Sequence, residues 1–184
     1  HVASYGKDPG DMSLIDVIES IAEIDGLERI RTSSVEPLII TEEFVQRLGA
    51  VDKFCPHFHL SLQSGSASVL SRMNRRYTSQ EYREAVNTIR RTFPYAAITT
   101  DVIVGFPEET DQEFEQTYEF LKELKLYETH IFKYSPRNGT KAAEMPDQVD
   151  PSVKNSRSEC LIKLNEKNKK DFEDLHVGQI VDIL

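Results

Sequence analysis

Runs of strand-forming residues alternate with amphipathic helices throughout this chain, and most of the helices open on an explicit start signal. That alternation restricts the fold more than any single motif. Leu27–Ser34, Cys55–Leu62, Ala97–Val104 and Thr129–Tyr134 read as strands. Between them, Ser13 caps a helix whose apolar residues Leu14, Ile15, Val17, Ile18 and Ile21 recur at helical spacing, and Gly26 closes it. Thr41 caps a short helix to Leu48, and Ala67–Arg72 forms a brief one. Thr78-Ser79-Gln80-Glu81 and Thr110-Asp111-Gln112-Glu113 are capping boxes that start helices running through Arg91 and to about Lys125. Asp150-Pro151 places an N-cap before a proline at the first helical position and predicts a helix to roughly Glu173. Strands separated by helices of about 8–16 residues are parallel βα units. The predicted class is therefore α/β, the later part of a partial barrel with flanking helices. An open doubly wound sheet is the other solution, although no Gly-rich phosphate turn follows any strand. Residues 1–150 would form the βα units, 151–175 a C-terminal helix, and 176–184 the start of another small β domain.

His57-Phe58-His59-Leu60-Ser61-Leu62-Gln63-Ser64-Gly65 alternates strictly, with His57, His59, Ser61 and Gln63 on one face and Phe58, Leu60 and Leu62 on the other. Parallel βα arrays keep their chemistry at strand C-termini, and here each strand ends in polar groups. They are Ser33, Ser34 and Glu36, then Gln63 and Ser64, then Asp101 within its strand, then Tyr134, Ser135 and Arg137. Together they describe a pocket for a polar ligand bearing an amine, a carboxylate or a ribose. Singly, each is also an ordinary hydrogen-bonded structural residue. Asp101, Ile103 and Gly105 share one strand face, which suits an aromatic base lying on the strand end; a bulge glycine beside a core isoleucine reads equally well.

Other groups are weaker. Cys55, His57 and His59 share a strand face, but that spacing on one strand is a poor metal site, so no metal ligand is assigned. Lys133 would be a Schiff-base amine if desolvated, or a lysine snorkelling outward. Arg72, Arg75 and Arg76 beside Tyr77 would meet a phosphate backbone, or stand as cations near a helix end. The net charge of −9 argues against a generic nucleic-acid surface, two cysteines make no disulfide framework, and no apolar run is long enough to span a membrane. A reduced, cytoplasmic setting follows, without membrane partners.

Four segments in order, Arg29–Pro37, His59–Ser66, Thr100–Pro107 and Tyr134–Thr140, with the spacer Arg72–Thr78, resemble the radical S-adenosylmethionine (SAM) methylthiotransferases that modify tRNA. His57–Gly65 and Tyr134-Ser135-Pro136-Arg137 look closest to the branch acting on threonylcarbamoyladenosine beside the anticodon. The resemblance implies a partial (β/α)6 barrel binding SAM at its strand ends. Gln63 and Ser64 would face the ribose and methionine end, and Asp101, Ile103 and Gly105 would back the adenine. Ser34 and Glu36 would lie near the methionyl group, with Ser135 completing the set. Arg72, Arg75, Arg76 and Arg137 would be the RNA contacts. It also implies 4Fe-4S clusters, yet the family's Cys-x-x-x-Cys-x-x-Cys triplet is not in this sequence. Glu108 replaces the glycine usual in that family's turn after Phe-Pro.

Both ends read as cut. His1–Gly6 enters as a post-strand loop, and Gly178–Leu184 begins a strand that the resemblance makes the start of a small RNA-binding domain. The expectation is a segment of a longer enzyme, inert alone, whose exposed barrel edge favours self-association. Two rivals stand beside it: a Schiff-base lyase or aldolase using Lys133, and a non-catalytic RNA-binding module.

Overall fold

The computed structural model describes residues 12–180. The loop expected at 1–6 lies outside them, as do residues 181–184 of the strand expected from Gly178; Gly178 itself is in a turn and Gln179 and Ile180 are not in a strand. The helices are α1 (Leu14–Ala22), α2 (Glu42–Gly49), α3 (Ala67–Arg72), α4 (Ser79–Thr92), α5 (Asp111–Leu124), α6 (Lys141–Glu144) and α7 (Pro151–Asp174). The strands are β1 (His57–His59), β2 (Ala97–Val104) and β3 (Glu128–Lys133), in the sheet order β1-β2-β3. The α/β class with parallel strands and flanking helices is as expected. Among the described residues no helix is long and apolar enough to cross a membrane.

The start signals behave as their chemistry requires. Thr78 and Thr110 each accept a hydrogen bond from the backbone N–H of Glu81 and Glu113, whose carboxylates reach back to the cap backbone. Ser13 and Asp16 form a third such box. The α1 helix ends at Ala22, before Ile24, and Gly26 turns the chain with φ +78°. The short α6 and a 3₁₀ turn at Pro37–Ile39 have no apolar period and were not anticipated.

Two compact units divide the chain: His1–Leu62 with Arg76–Thr99, and Gln63–Arg75 with Thr100–Leu184. In the first, β1 runs parallel to the opening residues of β2, with His57 opposite Ala97 and His59 opposite Thr99. Phe58, Leu60 and Leu62 are buried, as the alternation required, and Phe54, Phe58 and Phe93 stack with centroids 5.5–6.0 Å apart. Tyr82 and Tyr77 donate their hydroxyls to the carbonyls of Leu60 and Leu62 at 3.2 and 3.1 Å. The strand expected across Leu27–Ser34 is reduced to isolated parallel bridges at Ile30–Phe54 and Val35–Leu60. At the break the His57 N–H, which faces this segment, is taken by the Cys55 carbonyl at 2.7 Å; Pro56 faces the other way, its carbonyl accepting from the Ala97 N–H.

In the second unit, Val102 and Val104 are buried beside an apolar layer from Phe120, Leu121, Leu124, Leu126, Leu161 and Leu164. Helix α7 lies along β3. Thr129 N–H donates to Asn165 Oδ1 at 2.6 Å, Lys169 meets Glu128 at 3.1 Å, and Tyr127 stacks on Phe172. The polar stretch Asn165–Asp171, which reads as solvated in sequence, thus carries a packing face, with Asn168 buried.

Candidate functional site

The polar face expected of the strands is the less buried one. On β2, Asp101 and Ile103 are half-buried while Val102 and Val104 are closed off. At the ends of β2 and β3, inside the second unit, an open pocket of about 540 Å³ is lined by Ile103, Phe132, Tyr134, Ser135, Arg137 and Thr140 among others. Phe132 is 52% exposed there. The loop beyond is held by its own bonds: Thr140 donates both its N–H and its hydroxyl to the carbonyl of Arg137, and Gly139 takes φ +80°. Ile103 and Ser135 are therefore brought together, with Arg137 beside them.

The other residues singled out in this unit have distinct placements. Gln63 is buried and bridges Val102, giving its N–H to Asp101 and its carbonyl to Ile103 N–H. It does so at φ +72°, a left-handed conformation that a glutamine occupies only when its surroundings enforce it. Ser64 is fully buried, and its hydroxyl is engaged with Thr117 Oγ1 at 3.1 Å and with Ser66 N–H at 3.2 Å. Gly105 has φ +70°, and the group that approaches it closely is the stem of Lys154: a Cβ on Gly105 would lie 2.4 Å from Lys154 Cγ. Both residues are thus occupied by packing. In the first unit, Ser34 is exposed and Glu36 half-buried on either side of the Val35 bridge.

A set of charges joins α7 to the segment after β2. Arg157 donates to the carbonyl and the carboxylate of Glu109 at 3.0 and 2.8 Å, and to Asp111 at 2.7 Å, while covering the Phe114 ring. Glu109 also accepts the Gly105 N–H at 2.6 Å. The two side chains are only 6% and 1% exposed. Burial pushes the Glu109 carboxyl above its usual range, while the Gly105 N–H and Arg157 pull against it. Lys154, one turn earlier, donates to the Tyr134 carbonyl at 3.1 Å. Sequence reasoning missed Lys154 and Arg157, because cations within a polar helix carry no local sign of burial. Phe132 was missed although its parity with Tyr134 was readable.

The basic cluster is not one surface. Arg72 forks onto both oxygens of Glu113 at 2.8 Å and reaches the Glu108 carbonyl, so it braces α3 against α5; Arg75 and Arg76 are exposed. Glu108 itself sits at φ +64°, so the turn keeps the left-handed geometry that a glycine would adopt without strain. Hydrogen bonding from Arg72 holds the Glu113 carboxyl down at about 2, from an ordinary 4.5. Its folded pKa is depressed, so the bond's contribution is present above about pH 4.5 and is lost as pH falls toward 2. Arg72→Met should flatten the acid limb of a pH–Tm profile in that window and leave the neutral limb parallel to wild type; an unchanged acid limb would remove the pair from the account.

Lys133 is exposed and hydrogen-bonded to Asn155 Oδ1 at 2.9 Å, so it lacks the desolvation that activates a Schiff-base amine.

Parallel βα units with a pocket at the strand ends define a barrel-type α/β scaffold. The Radical SAM superfamily matches residues 1–121, and the chain belongs to that superfamily. It is 41% identical to the threonylcarbamoyladenosine tRNA methylthiotransferase MtaB of Bacillus subtilis, over all of this chain and 41% of that protein. It is also 41% identical, over the same shares of each, to the tRNA-2-methylthio-N(6)-dimethylallyladenosine synthase of Pelotomaculum thermopropionicum. The chain thus spans about two-fifths of the length of these curated relatives. Coproporphyrinogen III oxidase (HemN) of Escherichia coli, a radical SAM enzyme, shares the fold with a TM-score of 0.65 at 19% identity, over 84% of this chain and 36% of that one.

Proposed function

We propose that this chain is the strand-end part of a cytoplasmic radical SAM methylthiotransferase that converts threonylcarbamoyladenosine beside the tRNA anticodon to its 2-methylthio form. The observation that carries this reading is identity of 41% along the whole chain to tRNA methylthiotransferases, combined with a ligand-sized pocket at the β2 and β3 ends. Relatives of both substrate names match equally, so the choice of threonylcarbamoyladenosine rests on His57–Gly65 and Tyr134–Arg137.

When bound in such an enzyme, SAM and a 4Fe-4S cluster supply the radical chemistry. The second unit's own groups fit SAM in part: Gln63, Asp101, Ile103 and Ser135 offer amide, carboxylate, apolar and hydroxyl contacts. Ser64 and Gly105 act one layer back, shaping the strand ends. The residues do not fit the cluster. Cys55 is half-buried in one unit and Cys160 exposed in the other, which supplies no three-thiolate set. The role assigned here is therefore binding and orientation, and the isolated polypeptide is inert. An open sheet edge makes its self-association part of the same reading.

Nucleoside analysis of tRNA from cells deleted for the gene is the test. The 2-methylthio group should vanish from threonylcarbamoyladenosine and return on complementation. Its loss from dimethylallyladenosine instead would move the substrate to that branch, and no change in either would overturn the function.

A further inference from the structure

The turn Arg137–Thr140 carries an asparagine directly before a glycine, and both are exposed. Thr140 N–H closes the turn on the Arg137 carbonyl, with Asn138 second and Gly139 third at φ +80°, the left-handed position that a type II turn gives to glycine. Among the described residues, no hydrogen bond holds the Asn138 carboxamide or the Gly139 N–H. Nothing lies within 4 Å of where a Cβ on Gly139 would stand, so the approach to its nitrogen is open. An unbonded carboxamide next to an unbonded, unshielded backbone nitrogen is the arrangement for ring closure between them. The other asparagines lack it. Asn87 lies in α4, and Asn155, Asn165 and Asn168 lie in α7, where the next N–H belongs to the helix ladder. Asn74 is followed by Arg75, whose N–H is taken by the Leu70 carbonyl at 3.0 Å.

We propose that Asn138-Gly139 is a self-modification site, where the folded chain converts Asn138 to aspartate and isoaspartate without an enzyme. The Gly139 nitrogen attacks Asn138 Cγ. The new N–C bond closes a succinimide as the C–NH2 bond breaks, and the proton from the Gly139 nitrogen leaves with ammonia. Water then opens either ring carbonyl, giving aspartate, or isoaspartate with the backbone routed through the side chain. Water is the only co-reactant. Either product sets a new carboxylate between Arg137 and Thr140, both of which line the pocket at the β2 and β3 ends. The site stands on the geometry of the turn and is independent of the methylthiotransferase reading.

The test is timed incubation of this polypeptide at neutral pH, in buffer and in urea. Isoelectric focusing, chymotryptic mass mapping and labelling with protein isoaspartyl methyltransferase follow the products. In buffer, the protein should develop a more acidic species whose amide-to-acid mass change lies in the peptide carrying Asn138. The methyl label should appear on that same peptide. Peptides carrying the other asparagines should keep their amides over the same interval. Asn138→Gln, a change confined to an exposed turn, should abolish the acidic species and the label on this peptide. An Asn138 amide that survives in buffer yet converts in urea overturns the site, because the folded turn would then hold the carboxamide away from the Gly139 nitrogen. So does an amide that survives in both, and so does conversion led in buffer by any other asparagine.

Discussion

Arg157→Met is expected to lower the stability of this protein by about 3–5 kcal/mol, because it strands the Glu109 carboxylate in a buried position. The methionine keeps contact with Phe114 but supplies none of the guanidinium's three hydrogen bonds. The deficit should depend on pH in a defined direction. Burial already raises the Glu109 carboxyl above its ordinary 4.5, and without Arg157 it rises further. A group raised in the folded state favours folding below its unfolded pKa and loses that advantage as pH rises through the folded value. The variant should therefore lie nearest wild type in acid and furthest at neutral pH. Paired replacement, Arg157→Met with Glu109→Leu, should recover most of the loss. Denaturant titrations of the single and double variants decide it: a double variant no more stable than the single one would mean that the pair is not the cause.

Gly105→Ala is the second large effect, about 2–5 kcal/mol. Two terms add. An alanine at φ +70° is strained by roughly 1–2 kcal/mol, and its Cβ would press 2.4 Å from Lys154 Cγ, where overpacking costs about 1–3 kcal/mol. The terms separate in a cycle. Adding Lys154→Ala should remove the steric part and leave the backbone part, so Gly105→Ala should cost less in the Lys154→Ala background. Equal penalties in both backgrounds would show that Lys154 gives way freely. This glycine is read from sequence as room for a ligand; the occupant in the structure is a lysine stem from α7.

That outcome marks where sequence legibility stops. Helix starts were readable because capping is local: Thr78, Thr110 and Ser13 satisfy donors within three residues. The alternating faces of β1 and β2 were readable because the pleat has a fixed period of two. The first strand was over-read, since its ladder breaks where the His57 N–H of a different segment turns back to the Cys55 carbonyl. Ser64 was assigned to a ligand because a hydroxyl at a strand end is ambiguous until its partner is known, and Thr117 lies far along the chain. Arg72 was read as a phosphate contact or a helix-end cation for the same reason, its carboxylate partner sitting on another helix. Gln63 and Glu108 carry positive φ that nothing in their side chains announces. What could be read was set by neighbours in sequence; what could not was set by contacts closed only on folding.

Lys154 and Arg157 stand one turn apart on α7, one holding the Tyr134 carbonyl and the Gly105 turn, the other holding Glu109 and Asp111. The segments after β2 and after β3 are consequently moored to a single rigid post. Neither can swing without dragging the helix, and a displacement of the helix is felt in both at once. A disturbance at either segment is therefore expected to reach the other through α7, two stretches that a helix and a strand separate in the chain.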